Sequence, residues 1–142
     1  MPASTINELI DIFKNRLETE VTDKTSIKFL RDIPAEQCIL DALIVVYLYT
    51  RVDRGSNKVA LFSEIVLNIG RRLRKGQKVD TALEVRAGAF LLYNFEILNL
   101  IKVVLGQGKS KHATYIVDVV NDDLLAAMWS KVDASAVDKV PF

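Results

Sequence analysis

The spacing of apolar residues changes once along this chain of 142 residues, and that change constrains the fold more than any other feature. Up to about residue 100, apolar side chains recur every three to four positions, the period of amphipathic α-helices. Two β-branched runs follow, Ile101–Leu105 and Ala113–Val119, separated by a polar, glycine-bearing stretch that is typical of a hairpin. The pattern predicts a mainly α fold, a compact bundle of about five helices with a two-stranded antiparallel hairpin before the last helix.

Local signals predict where the helices begin. Thr5–Glu8 has the pattern of a capping box for the first helix, and Pro34 suits the first turn of the second. The second helix is apolar on nearly all sides, so we expect it at the centre of the core. Asp80 or Thr81 is expected to cap the fourth helix. Gly88 lies inside that helix, where glycine costs up to about 1 kcal/mol against alanine, and it therefore predicts close helix packing.

Length and composition are those of a globular domain, with 50% hydrophobic and 26% charged residues. We expect one domain over 1–131, with the hairpin at about 101–119, and a loosely ordered tail over 132–142. The longest uncharged apolar run, Ala42–Thr50, is far shorter than the roughly 20 residues of a membrane span, and the N-terminus has no signal-peptide pattern. A cytoplasmic location without membrane contact is expected, with Cys38 as a buried structural thiol.

No catalytic constellation is visible in the sequence. One histidine and one cysteine cannot form the usual Cys/His metal clusters. Gly106–Gly108 lies in a predicted hairpin, whereas a glycine-rich phosphate-binding loop stands directly before a helix. Ser110 stands near His112 without a placed acid. The run Asn121–Asp123 is expected to cap the last helix, which explains Asp122 and Asp123 without catalysis. We therefore expect no enzyme activity from the isolated chain, no metal site and no cofactor.

Positive charge is concentrated in the middle of the chain. The net charge is +1, but residues 50–86 hold nine Lys/Arg against four Asp/Glu. Clustered cations bind phosphate groups, although cations at a helix C-terminus also stabilise its dipole and loop lysines are often only solvated. The predicted nucleic-acid-binding residues are Arg71, Arg72, Arg74, Lys75 and Lys78 around the end of the third helix, and Lys102, Lys109, Lys111 and His112 on the hairpin.

Several short motifs occur in the order in which one polymerase family carries them. The motifs are Ile6–Glu8, Phe29–Glu36 (Phe-Leu-Arg-Asp-Ile-Pro-Ala-Glu), Ile69–Arg71, the helix Gly88–Leu100, and Asp118–Trp129 after the hairpin. Together they resemble the N-terminal, promoter-binding domain of single-subunit, phage-type RNA polymerases, and the similarity spans most of the chain.

This resemblance implies a part in promoter engagement, with DNA as the partner. In that family the domain grips upstream duplex DNA, and its hairpin separates the strands at the upstream edge of the melted bubble. Carried over, Gly106–His112 is the hairpin tip, and the candidate wedge consists of Val103, Val104 and Leu105. The segment Glu18–Lys28 takes the place of the family's AT-rich minor-groove reader, although it is rich in carboxylates.

The polymerase palm and fingers, with their metal-binding aspartates, have no counterpart in this sequence. The resemblance therefore implies a second partner, a catalytic polymerase subunit or domain, as in a phage polymerase split into subunits. For a phage protein the expected location is the host cytoplasm.

Two other interpretations stay open. A winged-helix transcription regulator has the same order of helices and hairpin, but it needs a polar, base-reading helix before the wing, and the fourth helix is mostly apolar. A protein-binding adaptor without nucleic-acid contact would expose an apolar patch of more than about 400 Å². A nucleic-acid binder would instead show a basic face that joins Arg71–Lys78 to the hairpin.

Overall fold

A computed structural model describes residues 2–51, 61–74, 80–106 and 115–132. Within these ranges, five α-helices and one short 3-10 helix accompany a two-stranded antiparallel hairpin, which confirms the predicted fold class. In chain order the elements are α1 (Pro2–Glu20), the 3-10 helix (Lys28–Asp32), α2 (Ala35–Arg51), α3 (Phe62–Arg74), α4 (Thr81–Ile97), β1 (Ile101–Leu105), β2 (Tyr115–Val119) and α5 (Asp122–Trp129).

The first two helices begin elsewhere than their sequence signals predicted. Helix α1 already starts at Pro2, so the capping-box prediction at Thr5 is wrong, and Thr5 is a buried residue inside the helix. Proline is favoured in a first helical turn, which accounts for the earlier start. Helix α2 begins at Ala35, and Pro34 caps it by accepting the Cys38 N–H at its carbonyl, 3.1 Å away. Pro34 therefore stands just before the first turn instead of in it.

Two predicted caps are confirmed. The Asp80 carboxylate accepts the Ala82 N–H at 3.1 Å at the start of α4. The Asn121 side chain accepts the Leu124 N–H at 3.1 Å at the start of α5. Each cap satisfies one backbone donor that the helix itself cannot pair. The sequence also predicts a turn over Asp53–Asn57 before the third helix and an end of that helix at Gly76. These residues, and 133–142 of the expected tail, lie outside the described residues.

Helix α2 is the centre of the bundle, as its sequence predicted. Its consecutive residues Leu43, Ile44, Val45 and Val46 are all buried, and four successive helical positions point to every side of the helix. Helices α1, α3, α4 and α5 all pack against it. The core therefore surrounds α2, and the hairpin is attached at the periphery.

Helices α3 and α4 run antiparallel and approach closely at two glycines. A Cβ on Gly70 would lie 2.0 Å from the Glu84 carbonyl oxygen, and one on Gly88 would lie 1.8 Å from that of Val66. No side chain fits at either point, so the prediction of close packing at Gly88 is confirmed. This antiparallel pairing brings the end of α4 beside the start of α3, where the hairpin attaches.

A tight turn places the hairpin against that end of the helix pair. Asn99, with a φ of 57°, adopts the left-handed conformation directly after α4, and the chain then enters β1. The Leu100 carbonyl accepts the N–H groups of Val120 and Asn121 at 2.9 and 3.2 Å, which closes the base of the hairpin. Leu61 forms a further antiparallel bridge to Ile116, so β2 is also tied to the start of α3.

Candidate nucleic-acid interface

The hairpin extends beyond the core at the end where its strands are joined. Alternate residues of β1 and β2 share the face that packs on the helices, and on this face of β1 the exposure rises from Ile101 through Val103 to Leu105. Ile101, at the base, is 1% exposed, whereas Leu105, at the far end, is 55% exposed. The segment 106–114 that joins the strands therefore continues from a projecting end.

The three residues that the resemblance assigns to the hairpin wedge have different surroundings. Val103 packs against the core, and its N–H donates to the Glu96 carboxylate at 2.7 Å, so its place is fixed. Val104 lies half-buried on the opposite face of the hairpin, beside its partner Ile116. Leu105 alone among the three is exposed at the projecting end, which makes it the best-placed wedge residue.

Three aromatic rings form an exposed step beside that end, which we call the aromatic ledge (Phe62, Tyr93 and Tyr115). The Phe62 ring centroid lies 6.0 Å from that of Tyr93 and 6.5 Å from that of Tyr115. Tyr115 is also the cross-strand partner of Leu105. Sequence reasoning missed this cluster. The alternation in β2 could have placed Tyr115 on the face of Val117, but Tyr93 lies in a helix that is apolar nearly all round and gives no signal.

The predicted cations of the hairpin are mostly beyond the described residues. Lys102 is exposed on the outer face of β1 and stands directly opposite Asp118 of β2. Opposite charges at facing positions stabilise a hairpin and reduce the local excess of positive charge. Lys109, Lys111 and His112 lie outside the described residues, in the segment that joins the strands.

At the end of α3, Arg72 points into the core. Its Nε donates to the Asp41 carboxylate at 2.8 Å, and the side chains of the two residues are only 8% and 3% exposed. The same carboxylate oxygen accepts the Gln37 side-chain amide at 3.0 Å. Arg72 therefore joins α3 to α2 and does not belong to a basic surface. Sequence reasoning missed this ion pair, because Asp41 stands in an apolar run with no polar neighbour in helical register except Gln37.

The other arginines of this cluster are more accessible. Arg71 is exposed, and the half-buried Arg74 guanidinium lies 4.4 Å from the centre of the Phe29 ring, a cation–π contact. Lys75 and Lys78 lie outside the described residues. Of the five cations predicted at the end of α3, Arg71 and Arg74 are thus the two that the structure describes outside the core.

The segment that the resemblance assigns to minor-groove reading lies at this same end of the bundle. Arg86 of α4 donates to the Ser26 hydroxyl at 3.4 Å. Arg31 pairs with Asp23 at 3.0 Å and also donates to the Val21 carbonyl. Since Arg74 stacks on the neighbouring Phe29, this segment, with its three carboxylates and two lysines, lies beside the end of α3.

The hairpin strands and the basic residues Arg71 and Arg74 lie at opposite ends of α3. Phe62 contacts the hairpin, and Arg74 follows it by twelve residues, which corresponds to about 18 Å at 1.5 Å per helical residue. A single basic face joining them is therefore not formed by the part of the chain that the structure describes.

Cys38 is buried, as predicted. Its side chain is fully buried in α2, and desolvation, assisted by the nearby Asp41 charge, raises the pKa of the thiol to about 12. The thiol is therefore protonated at neutral pH and is not a nucleophile. Among the described residues, no group of three or more His, Cys, Asp or Glu side chains could hold a metal ion.

Helix α4 packs against α1, α2, α3 and β1, which bears on the winged-helix interpretation. Its exposed residues are Thr81, Ala82, Arg86, Tyr93 and Ile97. Ala82, Arg86, Tyr93 and Ile97 recur at helical spacing and so share one face, on which Arg86 is the single charged group. A recognition helix in the major groove presents several polar side chains on one face, and α4 does not.

Searches among protein-family models, curated proteins and solved structures gave no match for this chain. Within the described residues, every helix is too short or too polar to cross a membrane.

Proposed function

We propose that this chain is a non-catalytic nucleic-acid-binding part of a DNA-dependent RNA polymerase that works in the cytoplasm with a catalytic subunit or domain. It engages upstream promoter DNA or the edge of the transcription bubble through its hairpin. The observation that carries the proposal is the projecting end of the hairpin. Exposure rises from Ile101 to Leu105, and Lys109, Lys111 and His112 follow in the joining segment.

The opposite end of α3 supports a second contact with duplex DNA. Arg71 is exposed there, and the segment around Phe29 with Lys24 and Lys28 lies beside Arg74. The spacing of about 18 Å along α3 is short enough for one duplex to reach both ends. Phosphate contacts of this kind position a protein on DNA without reading its sequence.

Fluorescence anisotropy with a forked oligonucleotide, half duplex and half unpaired, tests this proposal. If about four cations meet phosphates, log K falls against log salt with a slope of about −3.6. Replacing Lys109 and Lys111 with alanine removes two of these contacts, so the slope becomes shallower by about 1.8. Because both lysines belong to the polar, glycine-bearing segment that joins the strands, we expect stability to change by less than about 0.5 kcal/mol.

Lys14→Ala with Lys131→Ala is the matched control, because both lysines are exposed and belong to neither cluster. The control should bind the fork like the parent. Equal binding by the Lys109/Lys111 variant and the parent would show that the hairpin is not the contact. Binding that is insensitive to salt would contradict the phosphate contacts altogether.

A protein-binding adaptor is the second candidate, because several large apolar side chains are exposed. Among the described residues these are Tyr93, Ile97, Leu105, Tyr115 and Val120. An adaptor would not bind the forked oligonucleotide even at low salt, and that result would favour it over the nucleic-acid proposal.

A further inference from the structure

We propose that the aromatic ledge binds an unpaired nucleic-acid base by stacking, beside the projecting end of the hairpin. This inference rests on the proposed function, and it names the ligand feature that the domain recognises, a base without a pairing partner. The shared chemistry is that of any single strand, DNA or RNA.

The ledge is held in place by its central ring. Phe62 is half-buried and packs against the core, and the two tyrosines contact it from either side. Tyr93 is 37% exposed and Tyr115 is 53% exposed. The rings of Phe62 and Tyr115 meet edge to face at 66°, a contact that uses the face of only one of the two rings. Ring surface is therefore left for a ligand on a rigid support.

The size of the ledge suits a base better than a protein. Taking about 200 Å² for a whole large side chain, the exposed parts of the two tyrosines together offer about 200 Å², and the neighbouring Leu105 and Ile97, 55% and 53% exposed, add about as much again. A stable protein interface buries about 800 Å² on each partner, which is about twice this area. Aromatic side chains that bind single strands act singly or in pairs, one ring for each base, and need no larger surface.

Charge near the ledge also fits a nucleic acid. Tyr115 and Leu105 flank the joining segment, so the ledge is only four residues from Lys111 along the chain. The Glu96 carboxylate on the adjacent turn of α4 accepts the Val103 N–H at 2.7 Å, and it is thereby directed at the backbone of β1. We expect Lys111, in the joining segment, to meet a phosphate group while a base reaches the rings.

Only an unpaired base can use such a platform. Inside a duplex, both faces of a base are covered by its neighbours. At a junction, the first unpaired base has lost one neighbour and can replace it with a protein ring. We therefore expect the ledge to act at the point where the hairpin ends, on the strand that leaves the duplex.

The experiment compares two forked oligonucleotides that differ in one place. One carries normal bases at the first unpaired positions of the fork. The other carries abasic sites at the same positions, with the phosphates unchanged. The parent should bind the first more tightly by between about fivefold and a hundredfold, the contribution of one stacked base. Tyr115→Leu and Tyr93→Leu should lose this preference, whereas Tyr115→Phe and Tyr93→Phe should keep it.

Ile97→Ala is the matched control, because Ile97 is 53% exposed, like Tyr115, and lies one helical turn from Tyr93. It removes exposed apolar surface without removing a ring, so the preference should persist. Thermal unfolding of each variant verifies that it is folded before binding is measured.

Three outcomes overturn the inference. A parent that binds both forks equally, with the normal dependence on salt, refutes base stacking and leaves the proposed function intact. Equal binding together with self-association that Tyr115→Leu abolishes assigns the ledge to protein contact. A parent that binds neither fork refutes the proposed function as well.

Discussion

Replacing Gly88 with alanine tests the packing of the helix pair that carries the hairpin. Helix propensity alone predicts a gain of up to about 1 kcal/mol, because alanine is the better helix former. The tertiary structure predicts the opposite sign. The new Cβ would lie 1.8 Å from the Val66 carbonyl oxygen, whereas ordinary contact begins at 3.4 Å.

The obstacle at Gly88 is backbone, so no side chain can rotate away to relieve it. Helices α3 and α4 would have to separate along their contact, which also involves Gly70, where an added Cβ would lie 2.0 Å from the Glu84 carbonyl oxygen. Overpacking of a core costs about 1–3 kcal/mol, and a clash between two backbones belongs at the upper end. After the propensity gain is subtracted, we expect a net loss of about 2 kcal/mol, equivalent to a fall in Tm of roughly 6 °C.

Urea unfolding, followed by circular dichroism and by the fluorescence of Trp129, measures this loss. Trp129 is the only tryptophan and stacks on Tyr47 at 4.3 Å, so its emission reports the packing of α5 on α2. Ala82→Gly is the control, because Ala82 is exposed near the start of α4 and should lose about 1 kcal/mol through propensity alone. A Gly88→Ala variant as stable as the parent, or more stable, would refute the close approach of the two helices.

Two further predictions concern the buried groups of α2. Asp41→Ala leaves the Arg72 guanidinium buried without its carboxylate and should cost about 3 kcal/mol in urea unfolding, against less than about 1 kcal/mol for Glu36→Ala, an exposed acid of the same helix. For Cys38, burial raises the thiol pKa from 9.0 to about 12, so the unfolded chain loses its proton first as pH rises. Stability should therefore fall above pH 9 by about 1.4 kcal/mol per pH unit, and Cys38→Ala should lack this component.

Each of these predictions can fail clearly. Equal losses for the two acid substitutions would mean that the contact between Asp41 and Arg72 adds no stability. For Cys38, the parent and the alanine variant share every other titrating group, so only the difference between their pH profiles matters. Parallel profiles between pH 9 and 11 would show that the thiol ionises as freely in the folded protein as in the unfolded one.

The order of elements and several of their ends could be predicted from local signals. The β-branched alternation at Ile101–Leu105 predicted a strand, and the caps at Asp80 and Asn121 lie where their side chains suggested. These signals succeed because a strand period or a cap depends on residues that are neighbours in the chain. The capping-box prediction at Thr5 failed because the helix begins earlier, at Pro2. Both residues are start signals, and only the folded protein shows which of them begins the helix.

The candidate site was only partly predictable. The cluster Arg71–Lys78 looked uniform in sequence, yet Arg72 is held in the core by Asp41 and Arg74 lies over Phe29. Neither partner is near these arginines in the chain. The side on which a cation emerges from a helix depends on what the neighbouring helices supply, and a linear pattern of charges does not contain that information.

The amino-acid sequence by itself determined the helical class, the presence of the hairpin and the central place of α2, because periodicity and apolar content decide which surfaces must be buried. Only the tertiary structure decided that the hairpin projects at Leu105, and that Phe62, Tyr93 and Tyr115 meet beside it. It also decided that the hairpin strands and the arginines Arg71 and Arg74 lie at opposite ends of α3. These features arise from contacts between residues that are distant in the chain, and such contacts are fixed by the antiparallel packing of α3 on α4 through Gly70 and Gly88.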